Sequence, residues 1–210
     1  MHDTYSVPTP KDQENFVYRL YFGADGDALD QVIRRAYLDL SRTIHGAGSC
    51  PDGQKEAALF LRREIESLPS NIAALTQQGF DQWHEATCSA LCAVYSTAGY
   101  DQFFIGQSQK WINMAMKYIY VFGETRLPGY APHYRLCHVP IDNILLKANE
   151  FKELACFTEP WSRIKEYSAY MSFQSAVRCQ FPDSAPLAVE FVAWQSVNAA
   201  TRASYEKFNR

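Results

Sequence analysis

The sequence predicts an all-α protein folded as a single compact unit over residues 1–210, with a cleft between two helical lobes. Three observations lead there. Nearly every long segment repeats its apolar residues at helical spacing. Sustained strand alternation is absent except over residues 16–22, which read as a short strand or an irregular N-terminal arm. No internal repeat and no linker divides the chain.

Taken in order, residues 28–44 place Leu29, Val32, Ile33, Ala36, Tyr37, Leu40 and Ile44 on one stripe, with Asp30, Arg34, Arg35 and Asp39 mostly elsewhere. The turn HGAGSCPDG ends that helix. A second helix is expected over 54–68, closed by Pro69. Ser70 and Asn71 are capping residues for a third over 72–78, and a fourth runs from about Phe80 to Thr97. Gly99 and Gly106 bracket a link into a helix over 107–122. A polar hairpin follows, then helices over 142–155, from Pro160-Trp161 to about Cys179, and from Leu187 to about Ser204.

An apolar fraction of 47% is that of an ordinary globular protein, and neither a membrane-length apolar run nor a signal-peptide pattern is present. The six cysteines contain no C-x-x-C pair, so zinc and iron–sulfur clusters have no support; Cys88 and Cys92 read as small packing residues. Reduced thiols suit a cytoplasmic protein without a metal or cofactor. The net charge of −3 runs against phosphate binding, unless a local patch supplies it. Candidates for that patch are Arg126, His133 and Arg135 in the hairpin, and Arg163, Lys165 and Arg178 beyond it. Phosphate-loop, nucleophile-elbow and H-E-x-x-H patterns are missing, and His84-Glu85 reads as surface.

The most informative stretch runs over residues 106–146. On a helix, Lys110, Asn113 and Lys117 form a polar stripe among Trp111, Ile112, Met114, Met116, Tyr118, Ile119 and Phe122. That helix is too apolar around its circumference to lie loosely on a surface, so the stripe faces either bulk water or a wet cleft. Lys110 falls in the expected first turn, where the helix dipole disfavours an ammonium and so favours a nucleophilic amine. Asp142, after Val139-Pro140-Ile141, stands at a helix mouth: there it caps, or it stabilises developing positive charge and accepts a proton.

A lysine on a helix, a hairpin and a V-P-[VI]-D helix start together resemble the helix-hairpin-helix DNA glycosylases, with the core at about residues 106–155. The Lys110-to-Asp142 interval of 32 residues (142 − 110) is similar to the long-hairpin archaeal 8-oxoguanine glycosylase branch. That branch also carries a K-x6-K helix, matched by Lys110 and Lys117, and a P-L-x-x-[DE]-x-x-x-W helix, matched from Pro186 through Glu190 to Trp194. The resemblance covers about residues 100–200 and implies roles. Lys110 corresponds to the Schiff-base lysine, Asp142 to the catalytic carboxylate, and Lys117, Glu190 and Trp194 to the base pocket, with Trp194 stacking on the flipped base. The base-reading glutamine is open among Gln31, Gln77 and Gln78.

Backbone contacts are expected from Gly106 and Gln107 at the helix start and from Arg135, with Gly106, Gly123 and Gly129 permitting close approach or simply making turns. Glu190 stands where Asp is usual, the 117–122 segment is bulkier than the archaeal pattern, and the cysteines, asparagines and glutamines read as mesophilic. The form GQSQKWINMAMKY…HVPIDNIL also resembles bacterial antiphage glycosylases that remove glucosylated hydroxymethylcytosine from viral DNA. The resemblance therefore implies a monomeric enzyme on double-stranded DNA. The activity it implies is excision of a modified cytosine, with 8-oxoguanine repair and strand cleavage as the alternative. A helix-hairpin-helix module that binds DNA or protein without chemistry is the remaining reading.

Overall fold

The computed structural model describes residues 7–24, 26–45, 50–154 and 157–208, and side chains as far as Val197. Part of the turn expected after the 28–44 stripe, and Ala155 and Cys156, lie outside the described residues. Among the described residues, seven α-helices carry the fold: α1 (Pro10–Phe22), α2 (Ala28–Leu40), α3 (Pro51–Ser67), α4 (Gln77–Thr97), α5 (Ile105–Phe122), α6 (Tyr167–Gln180) and α7 (Pro186–Phe208). Short 3-10 turns join them, and the described residues contain no strand. No helix among them is long and apolar enough to cross a membrane.

The N-terminal arm is a helix, not a strand. Thr9 and Asp12 form a capping box and Pro10 occupies the first turn, which commits the chain to helix before the aromatic run begins. Tyr18 and Phe22, four apart, then meet Phe122 with ring centroids 5.1 and 4.5 Å away. The opposite face of α1 leaves Phe16, Val17 and Leu20 exposed. In α2, Leu29, Val32, Ile33, Ala36 and Leu40 are buried as their spacing predicts, and Asp27 caps the helix. Thr76 caps α4, so the residues expected to extend the third helix form only a 3-10 turn, Ile72–Leu75.

Helix α5 is the axis of the molecule. Every residue from Ile105 to Ile119 is buried, so neighbours surround it on all sides. Its polar side chains each reach a different neighbour. Ser108 donates to Cys88 O on α4 at 3.1 Å, Gln107 to Thr43 O at 3.0 Å, and Trp111 Nε1 to Ile33 O on α2 at 3.0 Å. The first turn receives the Trp161–Arg163 turn so closely that Gly106 N–H donates to Ile164 O at 3.0 Å.

The hairpin over 123–136 is fixed from within. The Glu124 carboxylate accepts from the amides of Gly129, Tyr130 and Ala131 at 2.7, 3.0 and 2.7 Å. Gly129 has φ +94°, a conformation that side chains disfavour. Tyr134 stacks on Tyr120 of α5 with centroids 3.7 Å apart.

A Cβ at Gly106 would lie 1.9 Å from Trp161 O. Gly106→Ala is therefore expected to destabilise the fold by about 1–3 kcal/mol through forced displacement of that turn. A urea midpoint equal to the parent's would show that the packing there is slack.

Candidate active site

Lys110 and Asp142 meet. The Lys110 Nζ donates to Asp142 Oδ2 in a largely buried ion pair, while Asp142 Oδ1 accepts from the amides of Ile144 and Leu145, both at 2.8 Å. The carboxylate is thus cap and pair partner together. Burial pushes Asp142 up, but the Lys110 charge and hydrogen bond and the two amides outweigh it and hold the carboxyl below its ordinary range.

Asp142 is delivered by an extended segment rather than by a helix. Gln109 of α5 accepts from Ile141 N at 3.2 Å and donates to Ile141 O at 3.0 Å. Gln174 of α6 accepts from Val139 N at 3.1 Å and donates to Val139 O at 2.9 Å. Two side-chain amides therefore do the work of neighbouring strands for the buried 139–141 backbone, and Pro140 between them has no N–H to satisfy.

The helix expected over 142–155 is not formed among the described residues 142–154. Only the 3-10 turn Leu145–Lys147 follows Asp142, since Ala148 adopts extended backbone (ψ 140°) and the chain turns there. The turn carries Phe151 into the core against Phe173 and Phe181. Lys110 is also not in the first turn. Because α5 begins at Ile105, Lys110 is its sixth residue, beyond the reach of the dipole argument, and its amine faces a carboxylate.

Lys117 forms a second buried pair, with Nζ 2.8 and 2.6 Å from the two Glu190 oxygens. The ammonium sits 4.7 Å from the Phe191 ring centroid and 5.3 Å from that of Trp194. Burial pushes Glu190 up in spite of Lys117, because no backbone amide supports it. Lys110, Asp142, Lys117, Glu190 and Trp194 all line one cleft of about 940 Å³. Asn113 leaves the stripe. It is rotated about 60° from Lys110 around the helix, against about 20° for Lys117, and it bonds instead with His84, Tyr170 and Val139 O on the adjacent, core-facing side of α5.

The far wall comes from residues with no motif to mark them. Tyr118 OH donates to Asp39 at 2.5 Å and contacts Tyr21 OH at 2.9 Å, while Arg35 pairs with Asp39 at 2.9 Å. Burial and the Asp39 charge push the Tyr118 hydroxyl up. The available signal was the Arg35–Asp39 spacing of four beside a core stripe, and Tyr118 adjoining Lys117.

Other expectations are corrected. Gln31 bonds Gly26 O, and Gln77 and Gln78 line a separate surface depression; the glutamine lining the cleft is Gln195. Gly106 spends its amide on Ile164 O, and the buried Gln107 bonds Phe104 N and Thr43, so neither faces a phosphate. Arg135 is exposed on the hairpin. His133 is buried, Arg126 binds Asn15 at 2.7 Å, and Arg178 forks onto Asp81 at 2.8 and 2.7 Å.

His84 is not surface. It is fully buried, with one ring nitrogen 3.0 Å from Asn113 Oδ1 and the other 2.9 Å from Tyr167 OH. His138 lies beside it, joined to Tyr170 OH at 2.7 Å and to Asp81 at 2.8 Å. This network supports the 138–141 segment from behind. With the geometry in view, no protein-family profile, curated protein or solved structure matches the chain.

Two outcomes are expected. Lys117→Met strands a buried carboxylate and should cost about 3–5 kcal/mol, whereas adding Glu190→Leu should restore most of it; equal losses in the single and double variants would refute the coupling. Burial holds both imidazoles below the ordinary value of about 6.5, so the unfolded chain binds more protons at lower pH. Their stabilising contribution is full above about pH 6.5 and is lost as pH falls below it. The urea midpoint should decline between about pH 6.5 and 5, before ordinary carboxylates titrate; a flat midpoint would exclude buried neutral imidazoles.

Proposed function

We propose that the protein is a DNA glycosylase that takes a modified base out of the duplex and cleaves its N-glycosidic bond. One observation carries the reading. Three short motifs, spread along the chain, bring Lys110 and Lys117, Asp142, and Glu190 with Trp194 to one cleft. Trp194 is 42% exposed, which leaves part of its indole surface accessible for stacking a flipped base.

Asp142 is the group suited to the chemistry. As the C1′–N bond breaks, the electron pair leaves with the base and C1′ becomes positive, which a fixed carboxylate stabilises. Water then adds to C1′ and gives its proton to Asp142, leaving an abasic site. In the lyase variant, Lys110 first passes a proton to Asp142 and its amine adds to C1′ instead. The paired Lys110 supports the water route.

The favoured substrate is a bulky modified cytosine such as the glucosylated hydroxymethyl form in phage DNA, which makes the protein an antiviral enzyme. That choice follows the GQSQKWINMAMKY…HVPIDNIL resemblance, and the cleft of about 940 Å³ lies within the roughly 300–1,000 Å³ range of small-molecule sites.

Base release from glucosylated phage DNA and from 8-oxoguanine duplexes tests the reading. Asp142→Asn keeps a capping oxygen but loses the charge, so release should fall by about 100-fold or more with DNA binding retained. Release from the oxidised duplex alone would transfer the activity to repair. No release from either DNA, with Asp142→Asn unchanged in every assay, would leave a binding module. Borohydride trapping of a Lys110 adduct would replace water with the amine.

A further inference from the structure

A nucleotide in the cleft carries a phosphodiester chain on either side, so cations must stand at the rim without carboxylates of their own. The structure removes most candidates. Arg35 is paired with Asp39, Arg178 with Asp81, and Arg126 with Asn15 and Glu14 while lying over Tyr18. Arg42, Arg163 and Lys165 are among the cations with no ion pair among the described residues, and they are the ones tied to the start of α5.

These three come from separate segments and converge at one corner. The Arg163 and Lys165 cations lie 5.6 and 5.5 Å from the Phe104 ring centroid, and Phe104 is the residue that precedes α5. Ile164 between them accepts from Gly106 N–H, which pins both to the first turn of α5. Gln107 bonds Phe104 N on one side and Thr43 on the other, which brings neighbouring Arg42 to the same turn. Tyr100 makes the same link independently, since its hydroxyl donates to His45 O at 2.9 Å and it feels the Arg163 charge. Arg42 is exposed and lines the cleft that holds Lys110 and Asp142. Lys110 is five residues beyond Ile105, about 7.5 Å along the helix. Like charges gathered without a counter-ion repel one another, and the positive end of α5 adds to the potential, so the corner favours an anion.

We propose that Arg42, Arg163 and Lys165 form the face that grips the DNA backbone beside the catalytic cleft, in place of Gly106 and Gln107. This rests on the glycosylase reading for its ligand, a phosphodiester strand. The competing face is the hairpin cation Arg135.

Binding of a fluorescent unmodified duplex across a salt series tests it, with the full-length chain, Arg42→Gln/Arg163→Gln/Lys165→Gln and Arg135→Gln. The triple variant should bind at least 10-fold more weakly at low salt. Its log–log salt slope should be shallower by about 2.7, since each phosphate no longer neutralised removes about 0.9. Arg42 and Lys165 are exposed and Arg163 is half-buried, so the triple variant should remain folded under the binding conditions, which its urea midpoint checks. Parent-like binding in the triple variant, or weakening confined to Arg135→Gln, overturns the proposal. Base release, measured in parallel, separates it from the enzyme reading. A parent chain that releases no base while the triple variant loses binding keeps the basic face and ends the glycosylase. Release and binding both unchanged in the triple variant do the reverse. A parent chain that binds no duplex ends both.

Discussion

The structure depends on the requirement that a helix buried on every side still satisfy its polar side chains. Helix α5 carries Gln107, Ser108, Gln109, Lys110, Asn113 and Lys117 into the interior, and their partners lie on four segments: Thr43, helix α4 (His84 and Cys88), the 141–142 stretch and Glu190 on α7. A buried polar group without a partner costs about 1–3 kcal/mol, and an unpaired charge more. The surrounding elements are therefore held in register as well as packed. Gln109 shows the effect most directly, because both its amide functions are used on Ile141, one residue before Asp142.

The two lysine–carboxylate pairs have different characters. Asp142 receives two backbone amides besides its lysine and is held below the ordinary carboxylate range. Glu190 has Lys117 alone, lies deeper, and is pushed up. The same residue chemistry thus yields one acid that stays ionised and one closer to taking a proton, a division that environment alone imposes. For a reaction that develops positive charge on a sugar, the first is the useful electrostatic partner, and the second suits recognition.

Much of this was readable from the sequence where one physical rule dominated. The α2 stripe follows from spacing, and the apolar circumference of α5 foretold burial. The meeting of Lys110 with Asp142 was expected from their motifs, whereas the pairing of Lys117 with Glu190 emerged only from the fold. Legibility failed where tertiary contacts overrode local pattern. Residues 142–155 have helical composition, yet burial of Phe151 turns the chain at Ala148. Asn113 shares a nominal stripe with Lys110 but faces the core, because the buried hydroxyl of Tyr170 and ring of His84 offer it partners. Residues 16–22 alternate like a strand, and only the Thr9 cap upstream identifies the helix. Asp39 and Arg35 carried no motif, so the far wall of the cleft was invisible until the chain was folded.

That far wall has an evolutionary consequence. The amine and acid of the floor lie within residues 110–142, whereas Tyr21, Arg35, Asp39 and Arg42 come from the first quarter of the chain. Helix α1 is attached to the rest chiefly by aromatic edges and by Tyr18 OH donating to Val121 O at 2.7 Å. Sequence drift in that early stretch can reshape what the cavity admits while the reactive centre, locked by glutamine side chains on α5 and α6, stays still. Such an arrangement lets the shape of the cavity diverge between lineages while the buried lysine–carboxylate pairs stay fixed.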